Sequence, residues 1–124
     1  MNLNLQTLTI FQLKELLRHK QVSVSEITAA SLDRIFQTDS KVHSFLTLNE
    51  QASADALKKD RQISQDSSIL DRQPLFGIPL GIKDLYSTSG LRTTAGSKII
   101  DNYVPQYSAT VVNRYLKAGA IIVG

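Results

Sequence analysis

Lys83 is the residue of this 124-residue chain whose type and setting most clearly suggest chemistry. It follows residues 74–82, an apolar run with two glycines and two prolines, which predicts a buried strand that delivers an ammonium group. Free lysine has a pKa of about 10.4, but a lysine in a buried site can lose its proton near neutrality and act as a base. A lysine at a strand end more commonly points into water or pairs with a neighbour such as Asp84. The residue type alone leaves both interpretations open.

Other candidates for chemistry are few. The chain has no cysteine, which excludes disulfides, thiolate metal sites and a cysteine nucleophile. His19 lies between two basic residues at a predicted helix end, and His43 stands alone at a predicted strand start. Since neither has a second ligand near it in sequence, we expect no metal site and no catalytic histidine. The absence of GxGxxG and GxxxxGK[ST] patterns argues against a dinucleotide or ATP site, so no cofactor is expected in this chain.

Residues 87–97 form a predicted loop rich in serine and threonine. Thr93, Thr94 and Ser97 could bind a substrate carboxylate or phosphate, but such side chains more often satisfy the backbone of a buried turn. We therefore favour a structural role for them. Asp84 is expected to orient the loop and not to transfer protons.

The elements ahead of Lys83 are predicted to be mainly helical. Apolar residues at three- and four-residue steps predict a helix over residues 8–19. Residues 23–26 (SVSE) fit a capping box that opens a second helix ending near Gln37. Residues 43–48 (HSFLTL) favour a strand that ends near Asn49, a candidate cap for a third helix over residues 50–63. The polar residues 64–73 are interpreted as a surface loop.

The elements from Pro74 onward predict an α/β fold. Ser108 is placed to cap a helix that Gly119 ends, and residues 120–123 (AIIV) predict a second buried strand. Two apolar strands joined by a crossover that contains a helix indicate part of a helix-covered β-sheet. We expect one incomplete domain over residues 1–124, helical over 1–66 and with the start of the core at 74–124. The second strand reaches the last residue, so we expect a truncated domain.

Four segments resemble the amidase-signature family in unbroken order and at matching spacing. They are residues 77–84 (GIPLGIKD), 90–97 (GLRTTAGS), 103–112 (YVPQYSATVV) and 116–124 (LKAGAIIVG). The N-terminal part is similar to the start of aspartyl/glutamyl-tRNA amidotransferase A subunits. The resemblance implies the amidase-signature fold, in which N-terminal helices precede a mixed β-sheet covered by helices.

The resemblance also implies a mechanism. Members of the family cleave an amide with a Ser, cis-Ser and Lys triad, and Lys83 matches the catalytic lysine. The two serines lie in a downstream Gly/Ser-rich motif, and no such cluster occurs in these residues. Gly96 and Ser97 match a different family position. The resemblance thus implies an enzyme, but this chain alone is expected to be inactive.

Two parent activities are open. The first belongs to the A-type component of a tRNA amidotransferase, which hydrolyses glutamine and passes ammonia to an ATP-using B subunit that amidates Glu-tRNA(Gln) or Asp-tRNA(Asn); a small C subunit is the further partner. The second is a free-standing amidase acting on a small carboxamide, because residues 83–87 (KDLYS) depart from the Lys-Asp-Asn start expected in the A subunits. A non-catalytic fragment is the third interpretation, since the serines are missing.

Charge and hydropathy add weak constraints. The net charge of +3 is the balance of 14 basic and 11 acidic residues, and because the basic residues are scattered it is only a weak signal for nucleic acid. No apolar run approaches the roughly 20 residues of a membrane span. We therefore expect a cytoplasmic protein without a membrane partner.

Overall fold

The computed structural model describes residues 4–124 as helices arranged around a small parallel sheet. A short 3-10 helix, Leu5–Thr7, precedes the first α-helix. A second 3-10 helix, Lys98–Ile100, lies between the two strands. In chain order the other elements are α1 (Ile10–Arg18), α2 (Val24–Val42), α3 (Ala52–Gln65), α4 (Ile69–Arg72), β1 (Pro79–Leu80), α5 (Thr110–Lys117) and β2 (Ile121–Ile122).

Capping boxes fix the starts of the first two helices. Thr9 Oγ1 accepts from the Gln12 amide, and Gln12 Oε1 accepts from the Thr9 amide at 2.8 Å. Ser23 and Glu26 make the same reciprocal pair at the start of α2, which confirms the box predicted there. Each box satisfies two amides that a helix start would otherwise leave without partners. The second helix runs to Val42, five residues beyond the predicted end at Gln37.

The start of α2 is also held from another helix. Asp60, on α3, accepts hydrogen bonds from the backbone amides of Val24 and Ser25 at 2.7 and 3.1 Å and from the Ser25 hydroxyl. A carboxylate at a helix N-terminus is favourable because it meets both orphan amides and the positive end of the helix dipole. This contact ties α2 to α3, the two helices that pack most closely together.

The core lies where these helices meet the sheet. Its side chains come from α1, α2, α3, α4, β2 and the segment just before β1, and the largest fully buried ones include Phe76, Ile27, Leu70 and Ile121. Gly77, with φ of +75°, faces Val24 so closely that an added Cβ would lie 2.7 Å from Val24 Cγ2. The apolar run that begins at Pro74 therefore packs directly onto α2.

The sheet has two parallel strands, with Pro79 opposite Ile121 and Leu80 opposite Ile122. The crossover between them contains α5, as predicted. Gly119, with φ of +94°, follows the last residues of α5 in the left-handed conformation that commonly ends a helix. The strand predicted from Pro74 is shorter than expected, because its first part is a turn around Gly77.

Three local predictions are wrong. Residues 43–48 are not a strand: His43 ends α2 with φ of +53°, and the Asp39 carboxylate accepts from the next two amides, so no neighbouring strand receives them. The predicted loop 64–73 contains α4, because Leu70 is fully buried and anchors a helical turn. Ser108 does not cap α5, which begins at Thr110. Its hydroxyl accepts from the Ser89 amide instead.

Some large apolar side chains of the helices lie on the surface. Ile10 and Phe11 of α1 and Phe36 of α2 are large apolar side chains, but they are exposed. Among residues 4–124, no helix is both long enough and apolar enough to cross a membrane.

Candidate functional site

Lys83 lies in a cleft at the carboxyl ends of the two parallel strands. It follows β1 by three residues, and Gly124, which follows β2, lines the same cleft. The cleft has a volume of about 530 Å³. Its walls come from residues 43–47, 81–86, 91–93 and 95–96, with Thr88. Parallel strands commonly place ligand sites at this end because loops, and not further strands, surround it.

The Lys83 side chain is exposed in this cleft. Its neighbour Asp84 does not pair with it among the ion pairs found between residues 4 and 124. The Asp84 carboxylate turns instead towards Thr94 and Gly96. The sequence left two non-catalytic settings open for Lys83. Pairing with Asp84 is not observed, whereas exposure to solvent is observed.

Asp84 orients the loop, as predicted. Its carboxylate accepts from the Thr94 amide at 2.8 Å, from the Gly96 amide at 3.2 Å and from the Thr94 hydroxyl, while its carbonyl accepts from the Ala95 amide at 2.8 Å. Burial acts to raise the pKa of Asp84, but the hydrogen bonds from Thr94 and Gly96 outweigh burial and hold the pKa below its ordinary value. The ionised carboxylate thus fixes one wall of the cleft.

The hydroxyl groups of the 87–97 loop have the structural roles that their residue types favour. Thr93 Oγ1 donates to the Leu91 carbonyl at 3.0 Å, and Thr94 Oγ1 donates to Asp84. Ser97 Oγ accepts from the Ile99 amide and caps the 3-10 helix Lys98–Ile100. Thr93 and Thr94 are buried, and each hydroxyl donates its proton to a partner within residues 84–94.

Phe45 forms a second wall of the cleft. Its ring packs on two glycines at the strand ends: a Cβ added at Gly81 would lie 3.5 Å from Phe45 Cε1, and one added at Gly124 would lie 2.6 Å from Phe45 Cδ1. A side chain at Gly124 would displace this ring. The glycines therefore let an aromatic ring cover the strand ends next to Lys83.

Arg92 connects the two walls. Its guanidinium donates to the Leu46 carbonyl at 3.2 Å and to Thr47 Oγ1 at 3.0 Å, and it pairs with the side chain and carbonyl of Asp101. Neither Arg92 nor Phe45 was predicted from the sequence to be a site residue. Arg92 lies inside one of the segments that resemble the amidase-signature family, but no local signal shows that Phe45 would reach the strand ends.

The two histidines lie at helix ends. His19 follows α1, with Nε2 3.7 Å from Glu15 Oε2, and His43 follows α2 and lines the edge of the cleft. Within residues 4–124 no group of three or more histidine, cysteine, aspartate or glutamate side chains is arranged to hold a metal ion. The structure therefore brings together Lys83, Asp84, Phe45 and Arg92, and it leaves His19 away from the cleft.

Comparison with known proteins relates this arrangement to amidases. The family model described as Amidase matches residues 26–124. The chain is 45% identical over 118 residues to the A subunit of the glutamyl-tRNA(Gln) amidotransferase from Geobacter sp. (strain M21), covering 94% of this chain and 24% of that protein. It is 46% identical over 117 residues to the protein of the same name from Geobacillus thermodenitrificans (strain NG80-2), with the same coverage of both.

A solved structure gives the same relation for the fold. The native peptide amidase from Stenotrophomonas maltophilia superposes with a TM-score of 0.86 at 29% sequence identity, covering 95% of this chain and 24% of that one. The helices and the parallel strand pair thus follow the α/β fold expected from the sequence. In each of these comparisons the chain spans about a quarter of the relative's length.

Proposed function

The chain belongs to the amidase family, and from that membership we propose that it is the N-terminal part of an amide-hydrolysing enzyme in which Lys83 is the catalytic base. The specific form that we propose is the A subunit of a glutamine-dependent tRNA amidotransferase. Such a protein hydrolyses glutamine and supplies ammonia to a B subunit, which uses ATP to amidate Glu-tRNA(Gln) or Asp-tRNA(Asn). A small C subunit is the further proposed partner, and the cytoplasm, where tRNA is charged, is the implied compartment.

The position of Lys83 carries this proposal. Its ammonium group is exposed to a cleft of about 530 Å³ at the carboxyl ends of β1 and β2, where an α/β sheet commonly binds its ligands. Asp84, the adjacent carboxylate, is fully engaged with the loop and does not neutralise it. A lysine that is presented to a cleft without a carboxylate partner can meet a substrate or a neighbouring serine.

The chemistry would proceed by nucleophilic catalysis. A serine hydroxyl attacks the amide carbonyl, while the neutral amine of Lys83 takes the hydroxyl proton through a second serine. Backbone amides stabilise the charge on the tetrahedral oxygen, and the proton then passes to the departing ammonia. Water cleaves the resulting acyl-serine to release the acid. The neutral amine requires a site drier than the exposed position seen here, because burial disfavours the charged form.

The proposal therefore needs a longer protein that supplies both serines and covers Lys83. We propose that residues 1–124 alone do not hydrolyse amides. The identity of 45–46% to amidotransferase A subunits, against 29% to the peptide amidase, favours the amidotransferase. The segment KDLYS at residues 83–87 keeps a free-standing amidase as the second candidate, because it departs from the Lys-Asp-Asn start expected of A subunits.

Replacing Lys83 in the longer protein tests the proposal. If Lys83 is the base, Lys83→Ala should lower kcat for glutamine hydrolysis by about 10²- to 10⁴-fold, the usual contribution of a positioned base. Lys117→Ala is the matched control, because Lys117 is an exposed lysine on α5 outside the cleft. Circular dichroism should show the same fold for both variants. An unchanged rate in a folded Lys83→Ala protein would refute the role of the lysine.

The same protein distinguishes the two candidates. An amidotransferase component should co-purify with B and C subunits and support ATP-dependent formation of Gln-tRNA or Asn-tRNA from glutamine. A free-standing amidase should hydrolyse small carboxamides without them. A folded protein that does neither would be the non-catalytic alternative.

A further inference from the structure

We propose that Arg92 is a positioning residue that holds the cleft wall formed by residues 45–47, and that this wall sets how tightly an amide substrate binds beside Lys83. The inference rests on the proposed function for the substrate class. Its structural part, the attachment of the wall by Arg92, stands on contacts in this chain alone.

The wall is an irregular segment whose two ends are fixed by different parts of the chain. At its start, the Asp39 carboxylate accepts from the amides of Ser44 and Phe45 at 2.7 and 3.3 Å. At its end, the Asn49 amide donates to the Val123 carbonyl at 3.0 Å, and Asn49 Nδ2 donates to the Ile122 carbonyl at 2.8 Å. Between these anchors the segment belongs to neither a helix nor a strand.

Arg92 supplies the hydrogen bonds found for the middle of the wall within residues 4–124. One guanidinium nitrogen reaches both the Leu46 carbonyl and Thr47 Oγ1, while the other two nitrogens hold Asp101. A planar guanidinium can serve both partners at once, whereas a lysine ammonium acts as a single point charge on a flexible stem. The two-sided contact therefore depends on arginine specifically.

Arg92 influences the part of the cleft next to Lys83 indirectly, by holding the residue that follows Phe45. The Phe45 ring packs on Gly81 and Gly124, at the strand ends that flank Lys83. Phe45 is adjacent to Leu46, whose carbonyl Arg92 holds. Releasing Leu46 and Thr47 should let this ring move and widen the cleft, while Lys83 itself stays attached to β1.

Kinetics of Arg92 variants in the longer protein test the inference. Arg92→Met and Arg92→Lys should each raise KM for glutamine by about tenfold and change kcat by less than about threefold, because ground-state binding is lost and the base remains. Arg72→Met is the matched control: Arg72 also pairs with an aspartate, Asp66, but lies outside the cleft, so its KM should not change. A variant that merely unfolds part of the enzyme would lower the apparent kcat and leave KM unchanged, and that outcome would overturn the positioning role.

Amide hydrogen exchange separates failure of this inference from failure of the proposed function. In Arg92→Met, the amides of Phe45 and Asn49, which donate to Asp39 and Val123 at the two ends of the wall, should exchange at least about tenfold faster than in the wild type, whether or not the protein hydrolyses glutamine. Unchanged exchange would overturn the attachment of the wall by Arg92. Faster exchange with an unchanged KM would overturn its effect on substrate binding. A wild-type protein that hydrolyses no amide would instead refute the proposed function.

Discussion

Replacing Gly119 by alanine should destabilise the fold more than the same replacement at Gly90, another glycine outside the cleft. Gly119 has φ of +94°, a conformation that costs an L-residue about 1–2 kcal/mol. A Cβ at this position would lie 2.7 Å from Gln73 Oε1 and 2.8 Å from Phe76 Cα. The first neighbour is the end of a flexible side chain, but the second is backbone and cannot simply rotate away.

The backbone around Gly119 offers little room for relief. The Leu75 amide donates to the Ala118 carbonyl at 2.9 Å, and the Gly77 amide donates to the Gly119 carbonyl at 3.0 Å. Moving the end of α5 away from residues 73–77 would break these bonds. Overpacking at such sites typically costs about 1–3 kcal/mol, so we expect Gly119→Ala to lower the free energy of unfolding by about 2–5 kcal/mol.

Gly90→Ala is the matched control. Gly90 has φ of +75°, also in the left-handed region, but nothing lies within 4 Å of an added Cβ. Its substitution should therefore cost only the conformational part, about 1–2 kcal/mol. The difference between the two variants isolates the steric contact with Phe76.

Equilibrium urea unfolding of the chain, followed by far-ultraviolet circular dichroism, measures both variants. A stabilising osmolyte such as trimethylamine N-oxide can be added equally to all samples so that the native baseline is defined. The slope of the unfolding free energy with urea should stay the same while the midpoint falls. If Gly119→Ala were within about 0.5 kcal/mol of Gly90→Ala, the close approach of α5 to Phe76 would be refuted.

Two further predictions concern carboxylates that hold the fold together. Asp60→Ala should lower the free energy of unfolding by about 1–3 kcal/mol, because two amides at the start of α2 lose their acceptor, whereas Asp33→Ala, at an exposed position on α2, should change it by less than about 0.5 kcal/mol in the same urea assay. Because the pKa of Asp84 is lowered in the folded state, its stabilising effect should be present above its ordinary pKa of 3.8 and be lost as pH falls through the folded value. Asp84→Asn should therefore flatten the dependence of unfolding free energy on pH below about 5, and an unchanged pH profile would contradict the contacts with Thr94 and Gly96.

The sequence predicts the parts of this fold that depend on neighbouring residues. The capping box at Ser23 and Glu26 involves residues three apart, and the left-handed stop at Gly119 needs only a residue without a side chain. Both features are confirmed. The orienting role of Asp84 also follows from local spacing, because its partners lie about ten residues away in one loop.

The parts that could not be predicted depend on distant contacts. Residues 43–48 have strand-forming side chains, but the distant Arg92 donates to the Leu46 carbonyl, and Asp39 accepts from the amides of Ser44 and Phe45, so these groups do not pair with a strand. The polar stretch 64–73 contains a helical turn because Leu70 is buried in the core, a contact that the local sequence does not show. Phe45 and Arg92 enter the candidate site for the same reason, since the first meets Gly124 and the second meets Leu46.

The hydrogen bonds of Asn49 also set an order in which parts of the chain can fold during synthesis on the ribosome. They join Asn49 to Ile122 and Val123, and the side-chain bond spans 73 residues of sequence. A nascent chain can form α1, α2 and α3 soon after they emerge, because their contacts are closer in sequence. The end of the 45–47 segment cannot be anchored until Val123 has left the exit tunnel, so during translation Lys83 emerges before the cleft around it is complete.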